Sequence, residues 1–86
     1  MTDKARIIGN YVESIVKGIL QYPETLKVQS ETDDQGVFVQ ITVNKADMGA
    51  IVGKEGQTAK AIRTLVRIKG SIFDTKATVK ILEPTN

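Results

Sequence analysis

Apolar residues recur every three or four positions in the first part of the chain, which predicts a helix over residues 3–21. The residues on its apolar face are Ile8, Tyr11, Val12, Ile15, Val16, Ile19 and Leu20. Thr2 or Asp3 is suited to cap the start of this helix, because each side chain carries an oxygen that can accept from a free backbone N–H. Tyr22-Pro23 ends the helix, since the residue before a proline is driven to extended geometry.

The spacing then changes to alternation, which predicts two strands. Residues 26–30 and 37–43 alternate apolar and polar positions, and the polar segment between them, residues 31–36, ends in glycine. Such a segment favours a turn, so we expect a β-hairpin. The adjacent carboxylates Asp33 and Asp34 in this turn are interpreted as solvated charges and not as a metal-binding or acid–base pair.

Glycines divide the next part of the chain. Asp47 is placed to cap, or to supply a first-turn acid to, a helix of one or two turns over Met48–Val52. The Gly-Lys-Glu-Gly segment at 53–56 separates it from a second amphipathic helix, predicted from Gln57 to Lys69 and stopped by Gly70-Ser71. The expected buried side of this helix holds Ala59, Ile62, Leu65, Val66 and the stem of Lys69.

A third alternating run, Ala77–Leu82, predicts the last strand, and residues 83–86 are expected to form a frayed tail. The order is then helix, strand, strand, short helix, helix, strand. A strand, helix pair, strand unit requires a crossover to a parallel neighbour. We therefore expect an α+β two-layer fold, in which three helices cover one face of a three-stranded mixed sheet. It would be one domain over 1–86, with a core motif at about 37–82 after an N-terminal helix and strand at 3–30.

Composition excludes several classes of function. The chain of 86 residues has no His and no Cys. Disulfide frameworks, thiolate metal sites and the Ser-His-Asp triad are thereby excluded, and no carboxylate constellation replaces them. We therefore expect no enzymatic activity, no metal and no cofactor. No apolar run approaches the roughly 20 residues that cross a bilayer. Together with the absent cysteines, this favours a cytoplasmic protein without membrane contact.

Charge is distributed unevenly along the chain. Residues 1–43 contain four basic and six acidic residues, whereas the remaining residues contain eight basic and four acidic ones. The excess lies at 54–69, where Lys60, Arg63 and Arg67 fall three and four apart and share one side of the helix. A basic stripe is more often a solvated helix face, but beside a glycine turn it is suited to a polyanion backbone.

The Gly-Lys-Glu-Gly segment also opens a helix, whose free N–H groups and dipole attract a phosphate oxygen. It is not a nucleotide-hydrolysing P-loop. Only three residues separate Gly49 from Gly53, and Glu55 occupies the position of the magnesium-binding hydroxyl. A DNA-reading helix-turn-helix is also disfavoured, because Met48–Val52 is too short for its first helix.

Aromatic residues make up 5% of the chain, and none lies between 53 and 69. A base-stacking platform is therefore not expected. Core packing is the expectation for Tyr11, Phe38 and Phe73.

In this context the segment Ile51–Arg63, with its Ile-Val-Gly-Lys-Glu-Gly run, resembles the Ile-Gly-x-x-Gly centre of a KH domain. The helix and strand that precede it are similar to the type II (prokaryotic) arrangement. Asp47 two residues before Gly49, and the Ala-Ile-Arg run at 61–63, are similar to the small stand-alone bacterial KH proteins of the KhpA group. The resemblance covers nearly the whole chain. It implies single-stranded RNA as the ligand, because the GXXG loop of a KH domain clamps about four backbone nucleotides.

The resemblance also implies which residues bind RNA. They are Ile51, Val52, Gly53, Lys54, Glu55, Gly56, Gln57, Lys60 and Arg63. The four loop residues at 53–56 would contact the sugar-phosphate backbone. Ile51 and Val52, with Ile62 across the helix, would form the apolar floor of a groove under the bases, and the cations would flank it. Core packing is the alternative for Ile51 and Ile62. Gln57 stands where such relatives often carry a basic residue, so we expect weak binding by a single copy.

We therefore expect a non-catalytic module that binds single-stranded RNA, as a post-transcriptional regulator or RNA chaperone, with no small-molecule substrate. The alternative is a protein-interaction or dimerisation subunit in which RNA contact is incidental. The resemblance further implies a homodimer, or a heterodimer with a larger KH-containing protein. Either would combine weak RNA sites through avidity.

Overall fold

The structure is a computed structural model that describes residues 3–82. Its helices and strands are α1 Lys4–Lys17, β1 Lys27–Asp33, β2 Gly36–Thr42, α2 Met48–Val52, α3 Gln57–Ile72 and β3 Ala77–Leu82. Short 3₁₀ turns precede β1, α2 and α3, at Pro23–Thr25, Lys45–Asp47 and Lys54–Gly56. Thr2 and the expected tail at 83–86 lie outside the described residues.

The strands form one mixed sheet in the order β1-β2-β3, which confirms the predicted α+β architecture. β1 pairs with β2 in antiparallel fashion, and β2 pairs with β3 in parallel. The crossover that the parallel pair requires contains α2 and α3. α1 packs on β1 and β2, and α3 packs on β3 and on α1. One hydrophobic core thus lies between the helices and one face of the sheet.

α1 is shorter than the apolar spacing predicts. Asp3 caps it as expected, since its Oδ1 accepts from the N–H of Arg6 at 3.1 Å. The helix ends at Lys17, because Gly18 occupies the C-cap position. Ile19 and Leu20 continue to pack against the core, although they lie outside the helix. The helical spacing of apolar residues therefore extends beyond the end of the helix.

Gly9 lies where α1 passes close to β1. A Cβ at this position would be 2.8 Å from the Oγ of Ser30. The glycine therefore allows a close approach between the helix and the strand, which offsets the cost of glycine within a helix.

The hairpin turn is tighter than predicted. β1 continues to Asp33 and β2 begins at Gly36, which leaves only Asp34-Gln35 between the strands. The Oδ1 of Asp33 accepts from the N–H of Gln35 at 2.8 Å. Both aspartates are exposed, in line with their interpretation as solvated turn residues.

α3 is longer than predicted, because Gly70-Ser71 does not stop it. Gly70 is buried where the helix meets β3, and a Cβ there would lie 2.7 Å from the Cβ of Ala77. This close fit requires a small residue and outweighs the low helix propensity of glycine. Leu65 was expected on the buried side and is exposed instead. Only the side of α3 that faces the sheet is buried in the core, and Leu65 lies outside that side.

Alternation along β2 separates two faces of the sheet. Val37, Val39 and Ile41 are buried against the helices. Phe38 lies between two of them and therefore points to the opposite face, which the described helices leave uncovered. The expectation that Phe38 packs in the core is wrong. It is only partly buried, whereas its neighbours along the strand are fully buried.

Tyr11 and Phe73 lie at the contact between α1 and α3, and both are partly buried. The ammonium of Lys69 lies between them, 5.1 Å from the ring centroid of Tyr11 and 5.4 Å from that of Phe73. These cation–π contacts hold Lys69 against the helix pair.

Candidate nucleic-acid interface

The Gly-Lys-Glu-Gly loop has an uncommon backbone at three of its four residues. The φ angle is +76° at Gly53, +56° at Glu55 and +75° at Gly56. A Cβ at Gly53 would also overlap the side chain of Thr58, so both conformation and space require glycine there. Glu55 holds its left-handed conformation despite a side chain, at a cost of about 1 kcal/mol that the rest of the loop must offset. The result is a tight reversal with Lys54 and Glu55 exposed at its tip.

α3 begins at Gln57, immediately after this reversal, and no side chain caps its first turn. The helix dipole therefore directs partial positive charge toward the loop. The exposed ammonium of Lys54 lies in the same loop. An uncapped helix start beside a lysine attracts an anion such as a phosphate group.

The basic side of α3, formed by Lys60, Arg63 and Arg67, is exposed as predicted. Arg63 and Arg67 form one wall of a cleft of about 310 Å³, and Ala77, Thr78 and Val79 of β3 form the other. Because β3 is an edge strand, this cleft lies at the edge of the sheet. It continues the basic surface from the loop toward the sheet.

The cations of this cleft form no ion pair with the residues that the structure describes. In the part of the chain that the structure describes, the one ion pair joins Glu13 and Lys17 on α1. The cations of the cleft are therefore left to interact with a ligand. Lys69 is on the same helix but does not contribute, because its ammonium lies against Tyr11 and Phe73.

The expected apolar floor of the groove is only partly available. Val52 is exposed at 38% of its surface, but Ile51 and Ile62 are 0% and 1% exposed. Contact between Ile51 and a base is therefore not possible in this structure, and the core-packing alternative holds for Ile51 and Ile62. The period of each helix turns these two side chains toward the sheet. Both belong to the hydrophobic core, whereas Val52 lies at the surface and directly precedes the loop.

Asp47 has a role that its position in the sequence does not reveal. It was expected to cap the short helix or to supply an acid to its first turn, and its side chain makes no capping bond. Its carboxylate instead accepts from the backbone N–H groups of Gln21 and Tyr22, at 2.8 and 3.0 Å. Asp47 is 2% exposed, the one charged residue among the buried ones that the structure describes. It ties the connection after α1 to the start of α2, and thus fixes the helix that leads into the loop.

Besides the loop and the cleft, α3 has a row of exposed apolar residues that the sequence analysis did not predict. Leu65, Ile68 and Ile72 are 38%, 52% and 69% exposed and lie three and four residues apart on α3. We call these three residues the apolar stripe. It lies on a different side of α3 from the cleft arginines, since those face β3. The signal was present in the sequence, because α3 has more apolar residues than one buried side can hold.

Two further observations concern residues 3–82. No three His, Cys, Asp or Glu side chains lie close enough together to hold a metal ion. None of the helices is both long and apolar enough to span a bilayer.

Comparisons with known proteins agree with this architecture. The family described as KhpA/KhpB, KH domain, matches residues 9–81. RNA-binding protein KhpA of Listeria monocytogenes (strain EGD-e) is 43% identical over 70 residues, which cover 81% of this chain and 92% of that protein. RNA-binding protein KhpA of Bacillus subtilis is 34% identical over 83 residues, covering 96% of this chain and all of that protein (100%). The fold is also similar to part of Era from Aquifex aeolicus. The TM-score is 0.67 at 16% sequence identity, over 96% of this chain and 32% of that one. The chain therefore belongs to the KhpA/KhpB family of KH domains.

Proposed function

We propose that this protein binds single-stranded RNA without catalysis, and that the loop at 53–56 clamps the phosphate backbone. The observation that carries the proposal is the loop itself, which joins three positive φ angles, an exposed lysine and an uncapped helix start. The relatives reported above are RNA-binding proteins by name. A role as a post-transcriptional regulator or RNA chaperone, and a cytoplasmic location, stay predictions.

The cleft between α3 and β3 extends the proposed contact. With its phosphates held at the loop, the RNA strand would run along Lys60, Arg63 and Arg67, and its bases would lie toward β3. Three cations and one loop lysine imply a small number of phosphate contacts. Binding should therefore weaken with salt, with a modest slope, because each neutralised phosphate of a single strand contributes about −0.7 to it.

An isotope-labelled sample titrated with a short unstructured RNA tests this function. We expect amide shifts concentrated at residues 51–63 and on the β3 side of the cleft, because those amides would lie nearest the strand. Double-stranded RNA of the same length serves as the control and should shift these amides less. Shifts confined to α1 and the hairpin would contradict the proposal.

The apolar stripe supports a second candidate, a dimerisation function. Three exposed aliphatic side chains on one helix face are an unusual surface for a small monomer. We infer that a second copy of the chain covers them, through an isologous pairing of two α3 helices. This pairing leaves the cleft open in both copies, since the arginines lie on a different side of the helix. Two weak RNA sites would then act together. A heterodimer with a larger KH-containing protein would use the same stripe.

Ile68→Asp tests the pairing. A charge buried at the centre of an apolar contact is strongly unfavourable, so we expect dimer affinity to fall at least about tenfold. Sedimentation at several concentrations measures this. Ser14→Asp, which places the same charge on the exposed side of α1, should leave self-association unchanged. A chain that stays monomeric at high concentration before any substitution would show the pairing to be wrong.

A further inference from the structure

The uncovered face of the sheet has one aromatic residue at its centre. Phe38 pairs across the sheet with Glu31 of β1 on one side and Thr78 of β3 on the other. The next row on the same face consists of Gln29, Gln40 and Lys80. A partly exposed aromatic ring is thus surrounded by side chains that donate and accept hydrogen bonds.

Phe38 also lines a small cavity at the hairpin end of this face. The cavity has a volume of about 100 Å³, and its other walls include Asp33, Gln35, Lys76 and Thr78. Its lining joins a flat apolar ring with a carboxylate, an amide, a hydroxyl and an ammonium. This combination suits a planar heterocycle that stacks on the ring and carries polar groups at its edge.

The cavity and the cleft described above share one lining residue. Thr78 lines both, because β3 is the edge strand that separates α3 from the open face. A chain that follows Arg63 and Arg67 therefore needs only to cross β3 to reach Phe38.

Charge favours the same route. Lys76 and Lys80 lie at or beside β3, next to the crossing point, and both are exposed. The acidic residues near Phe38, Glu31 and Asp33, are on β1, the far side of the ring. A polyanion is thus attracted to Phe38 from the β3 side and repelled beyond it. Although Asp33 also lines the cavity, this charge asymmetry favours, as the occupant, a continuation of the RNA chain that lies in the cleft.

We propose that the open face is a second RNA contact, at which a nucleotide flanking the segment held by the loop stacks its base on Phe38. This inference rests on the proposed RNA-binding function. It extends the footprint of one copy beyond the roughly four nucleotides that a GXXG loop holds. It also supplies a stacking platform, which the loop and α3 lack.

Phe38→Trp gives a direct readout, because the chain has no other tryptophan. Fluorescence of the F38W variant is measured with two unstructured RNAs, one of about four nucleotides and one of roughly twelve. We expect the longer RNA to quench the fluorescence through base stacking, and the shorter RNA to bind without quenching. Binding of the longer RNA without quenching would overturn the inference.

Phe38→Leu and Phe38→Tyr separate stacking from apolar contact. The leucine variant keeps an apolar side chain but loses the ring, so we expect its Kd for the longer RNA to rise about fivefold or more. Its Kd for the shorter RNA should be unchanged, and the tyrosine variant should bind both RNAs as the natural chain does. Tyr22→Leu removes an exposed ring that lines neither cavity and should change neither affinity. Thermal melting verifies that each variant is folded.

These experiments distinguish a failure of this inference from a failure of the proposed RNA-binding function. If neither RNA binds, the proposed function fails and the inference fails with it. If both RNAs bind and F38L affects them equally, or not at all, the inference is overturned while the function stands. A change in F38W fluorescence with protein concentration alone, in the absence of RNA, would indicate a second copy on this face and would also overturn it.

Discussion

Lys54→Asp combined with Glu55→Asp is expected to abolish detectable binding of short RNA. The double substitution takes the loop charge from zero to −2 at the point where the phosphate backbone is proposed to lie. Reversing one charge near a phosphate costs about 2–3 kcal/mol at a hydrated surface, a loss of roughly 30- to 160-fold. For a site that is weak in a single copy, such a loss exceeds what a filter-binding or gel-shift titration detects.

The fold should survive this change. Both side chains are exposed, and neither forms an ion pair or hydrogen bond among the interactions of the described residues. Aspartate adopts the left-handed conformation of Glu55 more readily than most residues, so the loop backbone is retained. An unchanged melting temperature therefore accompanies the loss of binding.

Lys17→Asp combined with Glu13→Asp is the matched control. It makes the same two substitutions, with the same change in net charge, in an exposed pair on α1. RNA affinity should change little, since neither residue lines the cleft. Equal losses in the two double variants would mean that overall charge, and not the loop, governs binding.

Asp47→Ala is expected to lower the free energy of unfolding by about 3 kcal/mol, because it removes the acceptor of two backbone N–H groups. Domains of this size have a total of only about 5–10 kcal/mol. The melting temperature should fall by at least about 10 °C. Circular dichroism during heating, or urea titration, measures the loss.

Two further variants provide a comparison for the stability loss expected of Asp47→Ala. Asp47→Asn keeps one acceptor oxygen and should lose about half as much stability. Asn44→Ala removes an exposed side-chain bond to the N–H of Ala46, at 2.9 Å, and should cost only about 1 kcal/mol. If the Asp47→Ala and Asn44→Ala variants melt together, the carboxylate does not tie the α1 connection to α2 in the way the structure shows.

Features that depend on neighbouring residues were predictable from the sequence, whereas contacts between distant residues were not. The start of α1 at Asp3, the short α2 and the alternation of β2 were readable because each depends on neighbouring residues. Asp47 was expected to cap a helix or to supply a first-turn acid, which are both local uses of such a residue. Its actual partners are 25 and 26 positions away along the chain, so no local pattern contains them.

Two other differences have a different origin. Gly70 was read as a stop signal, but its fit against Ala77 depends on a contact that exists only in the folded sheet. Phe38 was assigned to the core as an aromatic residue, and Leu65 was assigned to the buried side of its helix. The period of each element already excluded them, because Phe38 alternates with buried valines and Leu65 lies off the core-facing arc. For the candidate site, the loop and the cations were predictable from spacing, whereas the cleft wall on β3 required the parallel pairing of the strands.

The geometry of the loop at 53–56 depends on the parallel pairing of β2 with β3. Val37 pairs with Ala77 and Thr42 with Leu82, so the whole helix–loop–helix segment is closed at its base by strand pairs distant in sequence. A peptide that contains only that segment lacks the closure and will not hold the loop geometry. We expect this closure to form late and slowly during folding, because contacts of high sequence separation carry the largest loop-closure entropy. Amide exchange in the loop should therefore show little protection until β3 has docked, and a truncation that removes β3 should eliminate the nucleic-acid surface as completely as removing the loop.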